Sequence, residues 1–218
     1  MRKWKFILPC TVLMLTGCIK RLSEKKKTEL RDELKRMVVV DQEAAWVRPE
    51  KYKDYSTERW EQFKDSVFTT HKLRLEEIYR KHGFMGFDKV GEEGSNHFWL
   101  MVQHADKYPD FQRKILRAMD KEVRKGNANP RNYAYLYDRV QINAGQKQRF
   151  GTQVDYDVDG TGRARPKSGL SDSTHVDEIR KQYQLEPLKE YLNMMTEMHY
   201  EMNKKHYESK GIMKPDLY

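Results

Sequence analysis

Apolar residues recur at intervals of three and four along most of this 218-residue chain, and that spacing commits it to helices packed on a shared core. Leu30, Leu34, Met37 and Val38 place a first helix from Leu22 to about Trp46. Arg48-Pro49 to Tyr55 reads as a loop, after which Ser56 or Thr57 can cap a second helix. Trp60, Phe63, Val67, His71, Ile78 and Tyr79 give that helix its inward stripe, and Lys81-His82-Gly83 ends it with cationic residues and a glycine. Gly83 to Gly94, rich in glycine, reads as a connecting loop. A third helix from Ser95 carries Phe98 to Val102 in unbroken apolar succession and is expected to be central. The fourth follows Pro109, with Phe111, Ile115, Met119 and Val123 in line and Gly126 as its stop. Asn129-Pro130 then supplies the cap and first-turn proline of a fifth helix through Val140.

One region has the two-residue period of a strand instead. Gln148 to Asp157 and Arg163 to Pro166 flank Asp159-Gly160-Thr161-Gly162, a turn composition that predicts a hairpin. After a polar loop the chain returns to helix over Val176 to Tyr183 and over Pro187 to about Tyr207, with Leu188, Tyr191, Met195, Met198 and Met202 as the stripe. Methionines 194, 195, 198 and 202 read as flexible core filler and not as a copper site. The expected fold class is therefore mainly α: a single helical domain over residues 28–209, one small β-hairpin near residues 148–166, and a C-terminal tail over 210–218.

The first seventeen residues follow a different logic. A basic start (Arg2, Lys3, Lys5) precedes about ten apolar residues and then Leu15-Thr16-Gly17-Cys18, the layout of a secretory signal. That run is shorter than the about twenty apolar residues a membrane-spanning helix needs. Its ending resembles the lipobox of bacterial lipoproteins, and the resemblance implies cleavage before Cys18, diacylglycerol on its sulfur and a lipid-anchored protein of the cell envelope. Residues 18–27 would then form the lipidated N-terminus and a basic tether. Two or three acyl chains hold a protein on a bilayer persistently where one binds marginally. Cys10 would leave with the signal and Cys18 would carry lipid, so no intramolecular disulfide is expected. In some bacteria an aspartate after the lipidated cysteine retains the protein at the inner membrane; Ile19 stands there, which points to the outer one.

Loss of residues 1–17 removes three basic residues and no acidic one, so the net charge falls from +9 to +6. Lys20, Arg21, Lys25, Lys26, Lys27, Arg31, Lys35 and Arg36 crowd the start of the mature chain among Glu24, Glu29, Asp32 and Glu33. Opposite charges three or four apart fit a solvated helix face, and the excess of cations also fits anionic lipid headgroups or acidic envelope polymers. No nucleic-acid motif is present, and nucleic acid is not an expected partner.

Several polar motifs punctuate the helices: Asp41-Gln42, Gly83-Phe84 with Val90-Gly91, Gln103-His104-Ala105-Asp106, Tyr135-Leu136-Tyr137-Asp138-Arg139-Val140, Gln148-Arg149-Phe150-Gly151-Thr152-Gln153, and Leu185 to Tyr191. In this order the set resembles an uncharacterised bacterial domain-of-unknown-function family (6624-like), over nearly all of the mature chain. The chain departs from that pattern at Gly83-Phe84-Met85, where Gly-Trp-Pro is expected, and at Phe150, where tyrosine is commoner. The resemblance brings no established activity with it.

Two readings of these residues stand side by side. Asp138, Arg139, His104 and Gln153 can form an internal hydrogen-bond network fixing helix against hairpin, since a buried charge must be paired. Alternatively they line a pocket where His104 is general acid or base, Asp41 or Asp138 orients it, Arg139 binds an anionic group, and Gln148 and Gln153 donate to a polar substrate. Gln103 and Asp106 could flank a small ligand, with Gln42 beside Asp41. No nucleophile motif is present, and no cofactor is expected. The two functional expectations are a binding or structural envelope lipoprotein, whose partners are membrane lipid at Cys18 and an envelope polymer or protein, and a hydrolase of an envelope polymer centred on His104. Asp155, Asp157 and Asp159 with Gly160 match the opening of a calcium loop, but Pro166 stands where the bidentate glutamate belongs, so no metal is expected.

Overall fold

A computed structural model describes residues 22–158 and 160–218. The lipobox with Cys18, and Asp159 of the hairpin turn, lie outside the described residues. The helices are α1 (Glu24–Ala45), α2 (Thr57–His82), α3 (Phe87–Gln103), α4 (Pro109–Val123), α5 (Pro130–Asn143), α6 (Val176–Gln182), α7 (Leu188–Met202) and α8 (Lys204–Ser209), with a 3-10 turn over Glu50–Tyr52. Strands β1 (Val154–Tyr156) and β2 (Ala164–Pro166) form one antiparallel pair, in the register Val154 to Pro166 and Tyr156 to Ala164. The protein is mainly α with a small hairpin, as its periodicity requires.

Helix starts follow local capping chemistry. The Ser23 hydroxyl accepts from the Lys26 N–H at 3.3 Å, the Ser56 hydroxyl from Arg59 at 3.2 Å, and the Asn129 side chain from Arg131 and Asn132 at 2.8 and 3.3 Å. One core gathers Leu30 and Leu34 of α1, Leu75 and Ile78 of α2, Phe98 and Met101 of α3, Ile115 of α4, Leu136 of α5 and Phe150 of the following loop. Tyr191 and Leu192 of α7 pack separately on Ala164 of β2.

Three expectations are corrected. The stretch from Gly83 to Gly94 is not a loop: α3 begins at Phe87 and bends at Gly91, whose φ of 69° suits glycine. Its first turn is capped from a distance, because the Asn127 carbonyl accepts from the Phe87 N–H at 3.0 Å and the Asn127 side chain from the Asp88 N–H at 2.9 Å. The hairpin is shorter than residues 148–166, since Gln148 forms a bridge with Leu170 and not with the second strand. Finally, α7 stops at Met202 and turns its buried face to Tyr191, Leu192, Thr196 and Tyr200, leaving Met194, Met198 and Met202 exposed. The final residues fold back onto the hairpin, where the Tyr218 hydroxyl donates to the Ala164 carbonyl at 2.8 Å and Arg163 pairs with Asp216 at 2.7 Å.

Candidate functional site

The turn that ends α3 brings His104 against α1. His104 Nδ1 lies 2.7 Å from Asp41 Oδ2, and the fully buried carboxylate has a second imidazole, that of His71 on α2, 3.5 Å from its other oxygen. Gln42 donates to Asp41 at 3.1 Å and accepts from the indole N–H of Trp46 at 2.8 Å. Burial pushes the Asp41 carboxyl up, but the hydrogen bond to His104 and the nearby His71 imidazole outweigh it and hold the group below its ordinary 3.8. The His104 side chain is 18% exposed and leans on the Phe68 ring with centroids 5.3 Å apart. Its Nδ1 is committed to Asp41, so Nε2 is the nitrogen left for exchange with a ligand or solvent.

Two residues on, Asp106 belongs to a different cluster. Arg139 of α5 grips it with both forks, Nε to Oδ1 at 2.8 Å and Nη2 to Oδ2 at 2.7 Å, and Asn143 adds a bond at 2.9 Å. Gln112 of α4, fully buried, donates to Asp106 at 3.1 Å and to the carbonyls of Val102 and Gln103 at 3.1 and 3.2 Å. It thereby closes the C-terminal end of α3, whose last carbonyls otherwise lack partners. Burial raises the Asp106 carboxyl, and Arg139, Gln112 and Asn143 together outweigh it, so it too lies below its ordinary value. Gln103 is buried, and its Oε1 has no partner among the described residues.

Asp138, the neighbour of Arg139, faces inward. Its fully buried carboxylate accepts from the N–H groups of Arg149 at 2.8 Å, Phe150 at 3.1 Å and Thr152 at 2.9 Å, and from the Thr152 hydroxyl at 2.9 Å. Burial still pushes this carboxyl up despite those donors. Gln148 is equally consumed: its amide donates to the carbonyls of Gln153 and Lys167 at 2.8 and 2.5 Å and accepts from the Gln153 N–H at 2.9 Å. Among the described residues, the Gln153 side chain donates only to the Thr152 hydroxyl, at 3.4 Å. Asp138 and the Gln153 side chain thus meet at the Thr152 hydroxyl, whereas His104 is held apart from them by Asp41, so the three do not converge on one group. The motifs are instead threaded in order: Asp41 to His104, Asp106 to Arg139, and Asp138 to the Arg149-Phe150-Gly151-Thr152 backbone.

Three members of this thread carried no sequence signal of chemistry. His71 sits on the apolar stripe of α2, where it reads as packing. Gln112 lies three residues before Ile115 and seven before Met119, on the apolar face of α4, where a lone glutamine gives no hint of a partner. Arg180 stands in a charged run yet is fully buried, donating to the carbonyls of Phe150 and Glu186 at 2.6 and 2.7 Å, with burial pulling its guanidinium pKa down. Among the described residues of the acidic hairpin, Asp157 closes its own turn by accepting from the N–H and hydroxyl of Thr161 at 3.1 and 3.2 Å, and Asp155 lies 3.9 Å from Lys167.

Fold and site thus define a helical protein whose polar motifs knit the helices to one loop and leave one imidazole, that of His104, fixed on one side and partly open on the other. A family of unknown function, DUF6624, matches residues 28–205, and the chain belongs to that family. No curated protein and no solved structure matches the chain. Among the described residues, no helix is long and apolar enough to cross a membrane.

Proposed function

We propose that the protein is a lipid-anchored binding protein of the bacterial envelope whose recognition surface lies around Trp46, Gln42 and His104. The observation that carries this is a contrast. Asp138 and Gln148 spend their hydrogen bonds inside the fold and Asp106, at the surface, is clamped by Arg139 and Asn143, whereas Trp46, hydrogen-bonded to Gln42, remains 67% exposed beside Val47 at 78%. An exposed tryptophan with its N–H already positioned is the kind of residue that anchors a partner, since it brings large contact area at little conformational cost. The Leu15-Thr16-Gly17-Cys18 sequence supports attachment through Cys18, and Ile19 favours the outer membrane. The test is co-sedimentation with isolated cell-wall polymer, and parallel incorporation of labelled fatty acid. Trp46→Ala is expected to melt like the parent and bind at least about tenfold more weakly, a loss near 1.4 kcal/mol, whereas His104→Ala, which also takes the partner from buried Asp41, is expected to lose both binding and stability. Cys18→Ala is expected to abolish the label. Unchanged binding in both surface variants would overturn the recognition surface, and a retained label would overturn the anchor.

A second reading rests on the Asp41 to His104 contact. A buried carboxylate holding one imidazole nitrogen fixes the tautomer and orientation of the ring, which suits His104 to act as general acid or base in hydrolysis of an envelope polymer. Release of soluble fragments from that polymer, lost in His104→Gln and reduced in Asp41→Asn, would favour it; no release by the parent protein would remove it.

A further inference from the structure

The end of the molecule nearest the anchor carries most of its charge. Residues 20–36 hold eight basic residues against four acidic ones, so this stretch supplies +4 of the +6 that remains after residue 17. The last turn of α2 adds Arg80, Lys81 and His82 alongside. Between the start of α1 and the end of α2 lies an open hollow of about 1100 Å³, with Lys26, Lys27, Lys81 and Lys89 on its walls and Leu22 at its edge. Lys26, Lys27 and Lys81 each pair within their own helix, to Glu29, Glu24 and Glu77 at 3.0, 2.9 and 2.6 Å. These are exposed pairs of little energy that a surface anion can displace. Asp88 and Glu122 are both engaged by Asn127 at 2.7 and 2.6 Å. Lys89 is tied to main-chain carbonyls of His82 and Phe84 at 2.7 and 2.8 Å, so its charge faces no carboxylate partner among the described residues. His82 registers the local field: burial first, then Lys26, Lys81 and Lys89, lower its pKa.

Chain geometry fixes where this hollow sits. Leu22 packs against the core, and only four peptide steps separate it from Cys18, a span of at most about 14 Å. We infer that the hollow between α1 and α2 receives the headgroup of an anionic phospholipid and so sets which end of the protein faces the bilayer. The inference rests on the anchored reading of Cys18. Lysines within a Debye length of an anionic surface are attracted to it, whereas the same lysines on a freely diffusing protein would have no surface held beside them. One consequence follows for the site. Asp41 lies roughly 26 Å along α1 from Glu24, so a bilayer held at the α1 start leaves the His104 region directed away from the lipid.

The experiment uses the protein expressed with its own leader, extracted from membranes and reconstituted in vesicles, with Glu24→Cys carrying a fluorophore at the hollow and Glu50→Cys as a distant control. Vesicles of phosphatidylcholine alone are compared with vesicles containing phosphatidylglycerol, each with a quencher on the headgroup. The expected result is flotation with both, stronger quenching at position 24 with phosphatidylglycerol, loss of that excess in high salt, and little change at position 50. Lys26→Gln, Lys27→Gln and Lys81→Gln are each expected to weaken the headgroup contact about fivefold. Equal quenching in the two vesicle types, with flotation intact, overturns the inference and leaves the anchor standing. Flotation with phosphatidylglycerol alone would keep the hollow and overturn the anchor; flotation with neither would overturn both. The salt comparison uses the parent sequence at its lysines, so the result does not depend on the variants folding.

Discussion

Asp41 and His104, 63 residues apart in the chain, meet at 2.7 Å, and the carboxylate is fully buried between that imidazole and His71. The pair ties α1 to the end of α3 and makes a charge in the interior a condition of the fold. A carboxylate whose folded pKa is depressed contributes stability that is complete above its unfolded value and is lost as pH falls through the lower folded one. Asp41→Asn is therefore expected to cost about 3 kcal/mol near neutral pH, and the gap between parent and variant in urea unfolding should narrow below about pH 4. A gap that holds constant to pH 2 would mean that the ionised carboxyl is not what stabilises this contact.

Asp138 should be costlier to lose than any surface acid. Asp138→Ala leaves three main-chain N–H groups and the Thr152 hydroxyl without their acceptor, and a loss of at least about 3 kcal/mol is expected. Hydrogen exchange at Arg149, Phe150 and Thr152 should accelerate in step. An unaltered exchange pattern would show that the loop holds itself without the carboxylate.

The turn at Gly151 explains why glycine stands between Phe150 and Thr152. Its φ is 71°, and a methyl there would lie 2.9 Å from Leu188 and 3.1 Å from Leu170. Gly151→Ala is expected to cost about 1 kcal/mol more than Gly145→Ala, which has the same φ of 71° but open space around it. Thermal melts of the two variants against the parent make the comparison, and equal losses would assign the whole effect to backbone strain.

Calcium should leave the protein indifferent. Asp157 is spent on its own turn and Asp155 faces Lys167, so millimolar calcium followed by chelator is expected to shift the melting temperature by less than about 1 °C. A clear calcium-dependent rise would require the hairpin to rearrange around the ion.

How much of the site was legible depended on where each residue's partner lies. The motif residues were recognisable as polar groups among apolar ones, and the notion of an internal network was within reach of sequence. Which carboxylate would hold His104 was not, because Asp41 and Asp138 are equivalent until α1 is seen packed beside α3. Gln148 and Gln153 looked like donors to a ligand; folding spends Gln148 on two carbonyls and one N–H of its own loop.

The sequence by itself determined the helices, most of their boundaries and the hairpin turn. Those depend on spacing, on caps three residues away and on glycines at the ends, all of which are local. Only the tertiary structure decided that α3 starts at Phe87, because its cap is Asn127 from beyond α4. It also decided that Arg180 is buried while Met198 and Met202 are exposed. It alone joined Asp41 to His104. Burial and pairing belong to the surfaces that meet when helices pack, and no interval along the chain encodes which surface will arrive.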